Sequence, residues 1–138
     1  MAFVLDCSVT MAWIFHDEAT EATDRLRETL LDTRAFVPAL WPTETANALL
    51  AATRRGRVAP DEWPGIRAHL DALPIEVDQV SASRAWSAAL DLANAHALSV
   101  YDAMYLELAV RLQLPLATLD RALLTAARDV GIEALTAN

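Results

Sequence analysis

The chain has 138 residues, 54% hydrophobic and 22% charged, a globular composition with room for one buried core rather than a disordered or fibrous one. Its net charge of −8, with eleven arginines and no lysine, makes it a poor non-specific binder of nucleic acid, so any phosphate chemistry must rest on local arginines or bound cations. Cys7 is the only cysteine, which excludes an internal disulfide; no apolar run approaches ~18–20 residues, and "MAFVLDCSV" lacks the basic start and cleavage site of a signal peptide. The expected location is the cytoplasm, away from any membrane.

Taken in order, Phe3 to Leu5 is a short apolar strand, and Ser8 can cap a helix through about Phe15. Helical patterning resumes from Ala19 to Asp32, and "AFVP" (Ala35 to Pro38) is a second strand. Pro42 suits a helix start and Gly56 its end; Pro60 opens another helix toward Leu73. "IEV" (Ile75 to Val77) is a third strand, and Ser81 can cap a helix to about Ala95. A helix from Val100 to Leu112 precedes "PLATL" (Pro115 to Leu119), the fourth strand. Asp120 can cap a helix to Asp129 that Gly131 ends, and "IEAL" (Ile132 to Leu135) is the last strand. Short strands alternating with helices predict a single α/β domain over residues 1–138 with a mostly parallel central sheet.

In such a sheet, ligands bind beyond the carboxyl ends of the strands. Asp6 ends the first strand and Asp120 the fourth, Glu44 stands in the first turn after the second, and Asp102 opens the helix leading into the fourth. Four acids from distant segments therefore fall on one edge. Each position also suits a helix start, where acids are favoured, and Ser99-x-x-Asp102 resembles a capping box. Glu107 and Arg111 form an i,i+4 pair that marks a solvent face, which would turn Asp102 inward. Two carboxylates ~5 Å apart repel by about 3 kcal/mol at an effective dielectric of ~20. Six such pairs would total roughly 20 kcal/mol, against ~5–15 kcal/mol for a whole domain, so some acids are protonated or a cation sits among them. All-oxygen donors, with His16, His69 and His96 scattered elsewhere, favour Mg²⁺ or Mn²⁺ over Zn²⁺.

At these residues the chain resembles the PIN domain, and within it the VapC-type ribonuclease toxins of toxin–antitoxin pairs. The resemblance lies in four blocks in order: "FVLDCSVTMAWIF" with Asp6-x-Ser8, "VPALWPTETANALL" with Glu44-x-x-Asn47, "LSVYDAMYLELA" with Asp102, and "LATLDRALLTAA" with Thr118-x-Asp120. It implies a three-layer α/β/α fold with a five-stranded sheet ordered 3-2-1-4-5. It implies a Mg²⁺- or Mn²⁺-dependent endoribonuclease that hydrolyses RNA phosphodiester bonds to leave a 5′-phosphate and a 3′-hydroxyl. Asp6, Glu44, Asp102 and Asp120 would hold the metal, directly or through water. Ser8 and Thr118 would fix Asp6 and Asp120, and Asn47 would support Glu44. The implied partners are a VapB-type antitoxin, an RNA substrate (tRNA or rRNA among the candidates), a second copy in a homodimer, and operator DNA only through the antitoxin.

Arg54, Arg55 and Arg57, with Arg121 beside Asp120, are the candidate RNA contacts, although cations also suit a helix C-terminus. Trp41 and Trp63 could stack on bases or serve core and partner contacts, and Tyr101 and Tyr105 read as packing residues. A response-regulator receiver and a haloacid-dehalogenase-type phosphatase both need a lysine that this chain lacks, and the latter wants an acid where Ser8 stands. The alternative is a non-catalytic PIN-like module that binds RNA or protein.

Overall fold

The protein is described by a computed structural model covering residues 1–136, so the last two positions of the expected single domain lie outside the described residues. Strands β1 (Phe3–Leu5), β2 (Ala35–Val37), β3 (Ile75–Val77) and β4 (Leu116–Ala117) pair in parallel in the order β3-β2-β1-β4. Val4 of β1 stands opposite Phe36 on one side and Leu116 on the other. With helices on both faces, β1 reads as an unbroken apolar run, and Phe3, Val4 and Leu5 are buried.

The expected five-stranded sheet is corrected to four strands. The segment expected as the fifth pairs with β4 at a single bridge, Leu116 with Ala134. The amides of Leu116 and Leu135 make the two bonds of that bridge, to Glu133 and Leu116 respectively. β4 is two residues long and offers no further register there, and the carbonyl of Thr118 instead accepts the hydroxyl of Thr136.

The helices are α1 (Cys7–Ile14), α2 (Glu21–Thr29), α3 (Trp41–Arg54), α4 (Trp63–Asp71), α5 (Ser81–Arg84), α6 (Leu90–His96), α7 (Val100–Leu112) and α8 (Arg121–Asp129), with 3₁₀ turns at His16–Glu18 and Pro60–Glu62. The helix expected from Ser81 to Ala95 is interrupted by a π turn, Ala85–Ala89, that joins α5 to α6. Right-handed crossovers put α1 to α4, which connect β1 to β2 to β3, on one face; the return from β3 to β4 through α5 to α7 takes the other. Neighbouring β1 and β4 are thus reached from opposite faces, which makes their carboxyl ends the switch point where a site is expected. None of the described helices is long and apolar enough to cross a membrane.

Helix α7 is the central piece: Ala103 through Ala109 are all buried. That corrects one expectation. Glu107 and Arg111 do pair, at 2.9 Å, but Glu107 is buried, because Arg111 also reaches Asp78 at the end of β3 and seals the pair beneath it. The exposed residues of α7 are Tyr101 and Val110.

Candidate active site

The start of each element explains how the acids converge. Asp6 follows β1 directly, and its amide donates to Ala117 of β4 at 3.0 Å, so the two strands deliver Asp6 and Thr118 side by side. Asp6 is 4% exposed, and its Oδ2 accepts from Ser8 Oγ at 2.6 Å and Thr118 Oγ1 at 2.7 Å. Ser8 does not cap α1, which begins a residue earlier. Its hydroxyl turns back to Asp6 and accepts from the Leu119 amide at 3.0 Å, while Thr118 Oγ1 accepts from the Asp120 amide at 3.1 Å. The two hydroxyls thus tie Asp6 to the loop that carries Asp120, which links the D-x-S and T-x-D blocks directly.

Asp120 caps α8, its Oδ1 accepting from the Leu123 amide at 2.9 Å. Helix α7 is capped by Ser99, which accepts from the Asp102 amide at 3.1 Å, so the capping work falls to the serine and not to the Asp102 carboxylate. Glu44 stands in the first turn of α3. That turn is anchored to α1 by Trp41 Nε1 on Thr10 Oγ1 at 3.0 Å and by the 3.8 Å contact of Thr45 with Cys7. Glu44 itself is held from α7, where Tyr105 donates its phenol to Glu44 Oε1 at 2.5 Å.

The electrostatics join the four acids. Asp102 is half-buried, and its carboxyl is pushed up to about 6, first by burial and then by the charges of Asp6, Asp120 and Glu44. Burial raises Asp6 against the lowering effect of Ser8 and Thr118. Burial also raises Glu44, which Tyr105 lowers and Asp6 raises again. The Cys7 thiol is pushed up to about 12 by burial and Glu44, and stays protonated. None of the ion pairs among the described residues involves the four acids.

The donor set is oxygen throughout, suited to a hard divalent cation that would relieve this mutual repulsion. Among the described residues, no three acidic, histidine or cysteine side chains stand close enough as placed to hold one ion. The fit therefore rests on donor chemistry and uncompensated charge.

Other predicted residues lie apart or are otherwise engaged. Asn47 is exposed one turn beyond Glu44, on a cleft of about 410 Å³ that it shares with Leu40, Thr43, Glu44 and Tyr101; Glu44 takes its bond from Tyr105. Arg54 and Arg55 are exposed at the far end of α3, Arg54 about 15 Å along the helix from Glu44. Arg57 pairs with Asp17 at 2.9 Å and Glu18 at 3.0 Å and lies over the Phe15 ring. Arg121 is exposed beside Asp120. Trp41 is buried and Trp63 half-buried, its Nε1 on Thr53.

Tyr105 is the residue that sequence reasoning passed over as packing. A signal was present: it lies at i+3 from Asp102, on the same helical face, and a buried phenol needs a partner for its hydroxyl.

The fold is shared with solved structures. One is PAE2754 from Pyrobaculum aerophilum, at 24% identity and TM-score 0.68, covering 98% of this chain and 84% of that one. Another is FitAcB from Neisseria gonorrhoeae, at 16% identity and TM-score 0.54, covering 99% and 97%. No curated protein matches the sequence. The model of the PIN domain, a family whose members are generally nucleases, matches residues 3–129, and the chain belongs to that family.

Proposed function

We propose that the chain is a Mg²⁺- or Mn²⁺-dependent endoribonuclease, the toxin of a VapBC-type pair, partnered by a VapB-type antitoxin and acting as a homodimer. The observation that supports the reading is that the charges of Asp6, Asp120 and Glu44 all raise the Asp102 carboxyl, while none of the ion pairs among the described residues offsets these acids. A domain keeps such a cluster at a cost to stability, which fits a site built to take a cation.

Asp6, Glu44, Asp102 and Asp120 would hold the metal, directly or through water. When bound, it supplies a lowered pKa for water and a counter-charge for the phosphodiester transition state. The protein's own contribution is placement. Ser8 and Thr118 fix the Asp6 carboxylate at 2.6 and 2.7 Å. The Leu123 amide fixes Asp120 Oδ1 at 2.9 Å. Helix α7 brings Asp102 in from the other face. Arg54, Arg55 and Arg121 are available for RNA phosphates, and Arg57 is the least available because of its pairing with Asp17 and Glu18.

The test is an RNA cleavage assay with purified protein in Mg²⁺, in Mn²⁺ and in chelator. Metal-dependent cleavage that Asp6→Asn loses is expected. Absence of cleavage in all conditions, with RNA still bound, would favour the non-catalytic module. Sequencing the RNA ends that accumulate on induced expression would name the substrate.

A further inference from the structure

We infer that Tyr105 is a positioning residue of the metal site: its phenol holds one oxygen of Glu44 so that α3 and α7 present their acids to the same ion. The inference rests on the metal-dependent reading above and deepens it.

Two observations carry it. The Tyr105 hydroxyl donates to Glu44 Oε1 at 2.5 Å, across 61 positions of sequence. This is a short bond of the charge-assisted kind, O–H to carboxylate. Tyr105 is also wholly buried, so its ring is fixed by the core around α7 and the hydroxyl has little freedom to leave. Glu44 is a longer side chain than aspartate, with one more rotatable bond, and it projects from the exposed start of α3. Ser8, Thr118 and the Leu123 amide already fix Asp6 and Asp120. Tyr105 does the same for the fourth segment, and from the helix that carries Asp102 three residues earlier. One rigid, buried helix therefore supplies one acid and steadies another. With Oε1 so held, the Glu44 carboxylate keeps one orientation relative to α7.

A bond that orients a metal-holding side chain is worth about 10–100-fold in metal affinity. Tyr105→Phe keeps the ring and its packing and removes only the hydroxyl. The experiment measures Mn²⁺ binding by calorimetry on the metal-free protein, in wild type, Tyr105→Phe, Glu44→Ala and the double variant. The expected result is a 10–100-fold weaker Mn²⁺ affinity for Tyr105→Phe. The double variant should bind no more weakly than Glu44→Ala alone. RNA cleavage by Tyr105→Phe should recover as Mn²⁺ is raised, which repair of a merely loosened core would not produce. Wild type that binds Mn²⁺ with Tyr105→Phe binding equally well overturns this inference alone. Equal weakening by Tyr105→Phe with and without Glu44 does the same, since the phenol would then act through something else. Wild type that binds no Mn²⁺ overturns the metal-dependent reading, and this inference with it.

Discussion

The two ends of α7 carry acids in opposite circumstances, Glu107 buried and Asp102 half-buried. Toward its C-terminal end, Glu107 and Asp78 share one guanidinium: Arg111 Nε meets Glu107 at 2.9 Å and Nη2 meets Asp78 at 2.7 Å, and both carboxylates raise the arginine's pKa. At its N-terminal end, Asp102 faces Asp6, Glu44 and Asp120, and the hydrogen bonds those acids receive come from hydroxyls, a phenol and a backbone amide. The chain has the arginine to neutralise a buried acid and uses it at one end of the helix only. A cluster left uncompensated beside one that is compensated is what the proposed metal site requires, since such sites trade stability for function.

The comparison breaks most visibly in activity. Asp6→Asn, Asp102→Asn and Asp120→Asn should each bring metal-dependent RNA cleavage down to the level of the chelated control, while circular dichroism stays that of the wild type. Arg111→Met should leave cleavage within a few-fold of wild type. Full cleavage by any one of the aspartate variants would take that residue out of the site.

Stability should show the reverse. Arg111→Met keeps the aliphatic stem in place and strands Glu107 beneath the surface. Breaking such a pair should lower the unfolding free energy by roughly 3 kcal/mol, the low end for a buried pair because Arg111 and Asp78 keep some contact with water. A denaturant midpoint unchanged in Arg111→Met would mean that the pair is ornamental and the comparison is false.

Metal should act at one end alone. On the proposed reading, Mn²⁺ at about 100 times its dissociation constant should stabilise the protein by about 2.7 kcal/mol, as a ligand of the folded form alone. Arg111→Met should keep this increment on its lower baseline, and Asp102→Asn should lose most of it. Melting curves with and without Mn²⁺ measure both. An increment that survives in Asp102→Asn and Asp6→Asn would place the metal elsewhere.

What the sequence made legible follows from how local the signals are. The strand positions, the first turns holding Glu44 and Asp102, and the cap at Asp120 are local patterns, and a parallel sheet carries such residues to one edge whatever the details. The fifth strand was not legible, because "IEAL" has the composition of a strand and only the shortness of β4 limits it to one bridge. The serines misled for a related reason. Ser8 and Ser81 both stand where caps stand, but each hydroxyl finds a distant partner: Ser8 the Leu119 amide at 3.0 Å, and Ser81 the Ala39 amide at 2.6 Å. The burial of Glu107 and the bond from Tyr105 depend on contacts with residues more than two dozen positions away, Asp78 and Glu44, which periodicity along α7 alone does not report.

The smallest effect separates the two ends most finely, and it is the stability of Asp102→Asn in chelator. The Asp102 carboxyl is raised from 3.8 to about 6 by burial first, then by Asp6, Asp120 and Glu44. A carboxyl raised on folding takes up a proton as the chain folds. Its contribution is therefore complete below about pH 4 and is lost as pH rises through about 6. At about pH 7.5 the wild type carries an ionised Asp102 that opposes folding, and asparagine, of nearly the same shape, removes that opposition. The variant should then equal or exceed wild type in denaturant midpoint. Near pH 4 the wild-type carboxyl is protonated and the difference should close. An aspartate that served α7 as a cap would behave otherwise, its loss costing ~0.5–2 kcal/mol. Ser99 already fills that place, with its hydroxyl on the Asp102 amide at 3.1 Å. A variant less stable than wild type at about pH 7.5 in chelator, by a margin lost only as pH falls below about 4, would show that Asp102 supports its helix as an ionised carboxylate, as Glu107 supports the other end.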